Sequence, residues 1–186
     1  MKIAMCFNGK IGGMTTQKSS NLSFQDPRVF RASLDKYKEN IIECNKDDDI
    51  DVFVHCWDPG HKDELINTLN PVSYLFEYSP DYDGHKIASY VKGSNEKNYS
   101  IYNKWLSVKK TLNLMNDYST ANNVKYDFVI LCRFDVSFLE PLVFSDLIKD
   151  KFYVINWYQY FARKSSRQIH DKFACSPNWR ATEGHK

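Results

Sequence analysis

The chain alternates short, almost wholly apolar runs with stretches in which apolar positions recur every three or four residues. "KIAMCF" (2–7), "IDVFVHC" (50–56), "VSYLFEY" (72–78), "YDFVILC" (126–132) and "KFYVINW" (151–157) are of the first kind. Their length and their β-branched and aromatic content predict strands. Phe30, Leu34, Tyr37 and Ile41 share one face of a helix that runs to about residue 43. Asp26 is placed to cap its free amides, and Pro27 suits its first position. A short helix is expected over roughly residues 61–69, ending before Pro71. Tyr102, Trp105, Val108, Leu112 and Met115 mark the apolar face of a third helix over about 99–118, with Lys104, Ser107 and Thr111 on another face. Residues 79–98 read as a polar loop. The tail from 158 reads as irregular, with a candidate last strand at "KFACS" (172–176).

Strands alternating with helices predict an α/β three-layer sandwich with a mainly parallel central sheet. "YDFVILC" is the most apolar run and is expected at its centre. The whole chain, 1–186, reads as a single domain. In such sheets ligands bind outside the carboxyl ends of the strands. That rule gathers three polar clusters at one edge: Asn8, Gly9 and Lys10; Trp57 and Asp58; Arg133, Phe134 and Asp135.

Each cluster has a plain and a functional reading. Asp135 can ligate a hard divalent cation, or it can pair with Arg133 or cap the next turn. Arg133 can donate two parallel hydrogen bonds to a phosphate, or form a salt bridge to Asp127 or Asp135. Phe134, between them, suits the core. Asn8 and Gly9 let a base or ribose approach closely, or simply make a turn. Trp57 offers a ring for stacking, and Asp58 a carboxylate for hydroxyls. Gly9, Gly12 and Gly13 do not fit the spacing of a phosphate-binding glycine loop.

Composition narrows the partners. A formal charge of +2, with Lys scattered along the chain, lacks the basic stripe of a nucleic-acid binder. The acidic run Asp47, Asp48 and Asp49 reads as a solvated turn before a strand. No apolar run reaches the ~20 residues of a membrane helix, and "MKIAMCFNGK" lacks the features of a signal peptide, so a cytoplasmic protein is expected. The five cysteines include no C-x-x-C, which argues against a disulfide framework or a zinc site. Cys6, Cys56 and Cys132 suit buried strand ends.

The string "YDFVILCRFDVSF" (126–138) resembles the segment of GT-A glycosyltransferases that carries their D-x-D motif. "MKIAMCFNGK" (1–10) resembles their first strand, "DVFVHCWD" (51–58) their second, and "NKWLSVKKTLNLM" (103–115) the helix before the metal-binding strand. The likeness covers most of residues 2–140 and is nearest to viral and bacterial enzymes of polysaccharide assembly. It implies a GT-A-like, Rossmann-like fold and transfer of a sugar from a nucleotide-diphosphate donor, a UDP-sugar being favoured, to a glycan or other hydroxyl acceptor. Phe7, Asn8, Gly9, Lys10, Trp57, Asp58, Ser107, Arg133, Phe134 and Asp135 would then contact the nucleotide sugar. Asp135 matches the metal-ligating Asp, with Mn²⁺ or Mg²⁺ as the cation. Arg133 stands where the family has its first Asp, which puts metal dependence in question. "HDKFACS" (170–176) resembles a later family segment. It makes Asp171 the candidate general base and His170 a candidate metal ligand. The chain would be one domain of a longer parent or a minimal enzyme. The competing expectation is a non-catalytic nucleotide- or glycan-binding module, and a weaker one is a nucleotidyltransferase.

Overall fold

The computed structural model describes residues 1–11, 27–80, 95–154 and 180–181. They belong to two compact units, one of residues 1–31 and 47–136, the other of residues 32–46 and 137–186.

The first unit is built on four parallel strands: β1 (Lys2–Gly9), β2 (Asp49–Cys56), β3 (Ser73–Phe76) and β4 (Phe128–Arg133), in the order β3-β2-β1-β4. The expected α/β class with a parallel sheet is therefore present. Strands buried on both faces read as unbroken apolar runs, and β1 and β2 behave so: residues 3–8 and 51–56 are all buried. The expected central place of "YDFVILC" is not found. That strand, β4, pairs only with β1 and lies at the edge of the described sheet. Val129 and Leu131 are 46% and 49% exposed. An apolar run looks the same in a central strand and in an edge strand with one uncovered face, so periodicity could not separate the two.

Helix α3 (Asn95–Asn122) packs across one face of this sheet. Ala4, Cys6, Phe53 and Met115 form the buried centre of that contact, flanked by Leu112, Leu114, Tyr118 and Tyr126. The Phe53 ring meets Tyr118 and Tyr126 edge to face at 5.7 and 6.0 Å. At the amino end of the strands, Lys2 Nζ bridges Asp49 and Asp51 at 2.8 and 2.7 Å, and Tyr126 donates to Asp51 at 2.7 Å. Asp51 is thus buried and satisfied, and of the expected solvated turn Asp49 stays in solvent while Asp48, 15% exposed, pairs with the N-terminal ammonium at 2.5 Å. Helix α2 (Lys62–Leu69) follows a short 3-10 turn and ends at Asn70, whose left-handed backbone (φ 44°) lets its amide bond Ile66 O at 2.9 Å.

Helix α1 (Pro27–Tyr37) continues as a π turn (Lys38–Ile42) and a 3-10 turn (Glu43–Asn45), so the helical run extends slightly past its expected end. The expected cap Asp26 lies outside the described residues. In the second unit two buried amides hold residues 138–144 against these turns. Asn40 Nδ2 donates to Phe138 O at 2.6 Å, and Leu142 N donates to Asn40 O at 2.8 Å. Asn45 Nδ2 donates to Ile41 O and Leu142 O at 2.6 and 2.7 Å, while Asn45 Oδ1 accepts from Phe144 N at 2.9 Å. Of the expected strand 151–157, β5 (Tyr153–Val154) is described, paired antiparallel with β6 (Arg180–Ala181), which the sequence reading did not anticipate. The expected strand at 172–176 lies outside the described residues.

Asn45 makes three buried hydrogen bonds with one side chain. Asn45→Ala should therefore destabilise the protein by roughly 2–4 kcal/mol, because it leaves buried backbone groups unpaired. Urea denaturation of the two proteins checks this; a loss below about 0.5 kcal/mol, the size of an ordinary surface change, would contradict it.

Candidate functional site

The strand order reverses between β1 and β4, since the chain proceeds from β1 to β2 and β3 on one side and places β4 on the other. At such a reversal the connections leave in opposite directions and open a crevice beyond the carboxyl ends. Gly9 and Lys10 lie on one side of it and Arg133, Phe134 and Asp135 on the other, since Asn8 pairs in register with Arg133.

The Asn8 side chain is turned into the fold. It is 4% exposed, and its amide donates to Cys6 O at 3.2 Å and Cys132 O at 2.9 Å, fastening the end of β1 to β4. Phe7 and Phe134 are also buried, stacked on one another at 5.7 Å. Gly9 carries the open geometry. Its φ is +119°, which side-chain-bearing residues rarely adopt, and a Cβ there would meet nothing within 4 Å. Lys10 follows, exposed.

Arg133 and Asp135 form a fork, with Nε to Oδ1 at 2.7 Å and Nη2 to Oδ2 at 2.6 Å. The plain reading of the pair therefore holds in this state. Both carboxylate oxygens of the expected metal ligand are already engaged by a guanidinium. Among the described residues no group of three or more His, Cys, Asp or Glu side chains could hold a metal ion. His170 and Asp171 lie outside the described residues.

Ser107 was expected at the nucleotide sugar and is found beneath the site. It is wholly buried, accepts from Gly9 N at 2.8 Å and lies 2.6 Å from His55 Nδ1. Because its oxygen accepts the Gly9 amide, its hydroxyl hydrogen is available to His55 Nδ1. His55 Nε2–H then faces Glu77 Oε1 at 3.1 Å, and Lys110 Nζ reaches the same carboxylate oxygen. Thr111 Oγ1, also buried, reaches Phe7 O at 3.1 Å. Trp57 closes the cluster: His55 meets its ring edge-on at 4.4 Å and Lys110 Nζ lies 5.0 Å from its centroid. At 5% exposure, Trp57 is a wall of this cluster and not the open stacking ring expected of it. Asp58, next in the chain, is partly exposed.

The buried face of α3 matches the expected one only in part: Val108 and Met115 are buried as expected, and the face has turned to take in two hydroxyls. Ser107 and Thr111 are buried, while Tyr102 and Trp105 are 41% and 61% exposed. The end of a parallel sheet presents backbone groups that hydroxyls can satisfy and apolar side chains cannot. Glu77 and Lys110 were missed; the rule that collects strand ends, applied to the third strand, would have found Glu77.

Burial holds His55 below its ordinary pKa of 6.5, outweighing the opposite pull of Glu77, and Lys110 adds to the lowering. For Glu77, burial alone would raise the pKa, but hydrogen bonds from Lys110 and His55 prevail and lower it. Burial pushes the thiols of Cys6 and Cys56 up to about 12, so they are inert apolar filling, as expected.

A lowered folded pKa for His55 means that the unfolded chain binds its proton first. The stability from neutral His55 is complete above pH 6.5 and is lost as pH falls below that value. Glu77 loses its own contribution only below about pH 4.5, so the His55 limb sets in at the higher pH. His55→Gln should flatten the decline in denaturation free energy between about pH 6.5 and 5, and an unchanged slope would remove His55 as its source. Ser107→Ala, which deprives both Gly9 N and His55 Nδ1 of a partner, should cost about 1–3 kcal/mol at pH 7 by the same measurement.

Comparison with protein-family models, with curated proteins and with solved structures yields no match to this chain.

Proposed function

We propose that the crevice between β1 and β4 binds the diphosphate of a nucleotide sugar, and that the chain is the donor-binding part of a GT-A-like glycosyltransferase. The observation that carries this reading is the reversed strand order. It sets an open positive-φ glycine and Lys10 opposite the Arg133–Asp135 fork. The resemblance of residues 126–138 to the D-x-D segment supplies the reaction class.

In that reaction an acceptor hydroxyl oxygen attacks the anomeric carbon, and the bond from that carbon to the diphosphate oxygen breaks. The nucleoside diphosphate leaves with the electron pair, and the hydroxyl proton passes to a general base, for which Asp171 is the candidate. Negative charge grows on the leaving diphosphate, so fixed cations there favour the transition state. Arg133 and Lys10, on the two sides of the crevice, are suited to that task. A Mn²⁺ or Mg²⁺ ion does not fit the described residues as they stand, because Arg133 already holds the Asp135 carboxylate. Arg133 is therefore proposed to take over much of the role that a cation has in the family. The acceptor would be a glycan.

The same ion pair favours a second reading, a non-catalytic nucleotide- or glycan-binding module. A donor-binding enzyme should hydrolyse a nucleotide sugar slowly in the absence of acceptor, and a module should not.

Calorimetric titration with a nucleoside diphosphate, with and without Mn²⁺, tests the site. Arg133→Ala should weaken binding about ten- to a hundred-fold in either condition, the range of a lost charge-assisted hydrogen bond. Asp135→Ala should tighten metal-free binding, because it removes the carboxylate that competes with phosphate for Arg133. If Asp135→Ala instead abolishes a Mn²⁺-dependent gain and leaves metal-free affinity unchanged, Asp135 is a metal ligand and the fork is incidental. No binding by the unaltered protein would remove the nucleotide reading.

A further inference from the structure

Two residues of α3 that the reading above does not use lie at the same edge. Thr111 Oγ1 meets Phe7 O and Ser107 Oγ meets Gly9 N one turn earlier, so α3 runs opposite to the strands. The turn before Ser107 therefore overhangs the end of β1. Asn103 and Lys110 reach Ser79 and Glu77 on the β3 side of the helix, whereas Thr111 lies over β1. Continuing round the helix at about 100° per residue sets Lys104 above the end of β1. It sets Ile101, Trp105, Val108 and Leu112 toward β4.

Burial agrees with this placement. Val108 is 8% exposed and Leu112 packs on the core around Ala4 and Cys6, while Trp105, nearer the carboxyl edge, is 61% exposed. Lys104 Nζ stands 5.9 Å from the Trp105 ring centroid, a distance at which a cation holds an indole. The helix geometry thus carries an exposed indole, with Lys104 beside it, toward the crevice edged by Lys10 and Arg133. A ligand suited to both features has a flat ring joined to a phosphate group.

We propose that Trp105 is the stacking platform for the base of a nucleotide whose phosphates lie toward Gly9 and Arg133, with Lys104 adding to the phosphate charge balance. The inference rests on the nucleotide reading of the crevice and goes beyond it by naming the base-binding residue. Base-on-aromatic stacking is tolerant of base identity because every base presents a π-face, so the platform by itself selects nucleotides over bare pyrophosphate.

The test titrates the full chain with UDP, ADP, GDP and inorganic pyrophosphate. Trp105→Ala should weaken nucleoside diphosphates about ten-fold, within the range seen for lost base stacking, and leave pyrophosphate unchanged. Trp105→Phe should retain most of the affinity. Lys104→Gln should weaken all four ligands alike. Trp105 is exposed, so the melting temperature of Trp105→Ala should match that of the unaltered protein. Nucleoside diphosphates binding Trp105→Ala as well as the unaltered chain would overturn this inference and leave the crevice reading standing. Equal weakening of pyrophosphate and nucleoside diphosphates in Trp105→Ala would also overturn it. Binding of pyrophosphate with no preference for nucleoside diphosphates would overturn the platform alone, and binding of none of the four would overturn both proposals.

Discussion

The Ser107 hydroxyl is the point on which the carboxyl end of the parallel sheet depends. It accepts the Gly9 amide and contacts His55. In doing so it links the last residue of β1 to β2, and through Glu77 to the segment after β3. A parallel sheet covered by a helix must satisfy its terminal backbone groups where water is excluded. Here Ser107 and Thr111 do this from one helix face, and Lys110 completes the neutralisation of Glu77. The unusual backbone of Gly9 is held by this arrangement: its N–H is taken by Ser107 and its carbonyl accepts from Trp57 N at 2.9 Å.

Across the crevice the charges are arranged differently. Arg133 and Asp135 are 46% and 31% exposed, so their attraction is screened and of modest worth to folding. Such a pair is labile where the buried cluster under β1 is not. The edge thus combines a half fixed by buried hydrogen bonds with a half that carries a partly exposed ion pair. An anion competing for Arg133 and a cation competing for Asp135 would open the same fork.

How much of this was legible depended on the residue. Gly9, Arg133 and Asp135 stood out because turn and charge interrupt an apolar run at a strand end. Asn8, at a strand end, and Ser107, on a polar helix face, stand out in the sequence, and the structure shows both side chains buried and bonded to backbone groups. A small polar residue near a strand end looks alike whether it meets a ligand or a neighbouring carbonyl, and only the pairing of β1 with β4 and the depth of α3 separated the two. Glu77 and Lys110, far apart in the chain, carry no joint signal at all. Trp105 was counted as core because it continues the apolar spacing of Val108 and Leu112. It lies past the end of the strands, where no sheet remains to cover it.

The sequence by itself determined the parallel α/β class, the approximate extents of the first three strands and their helices, and the polar character of the strand ends. These follow from local periodicity and from backbone limits on Gly, Pro and Asn, which act within a few residues. Tertiary structure decided the order β3-β2-β1-β4, the edge position of β4, the burial of Ser107 and Trp57, and the closing of Arg133 on Asp135. The strand order, the edge position and the burial depend on which distant segment lies alongside, and the free energies that settle them come from burial and hydrogen bonds between residues dozens of positions apart; the Arg133–Asp135 fork is local, two residues apart, and the folded geometry selects it among the partners the sequence left open.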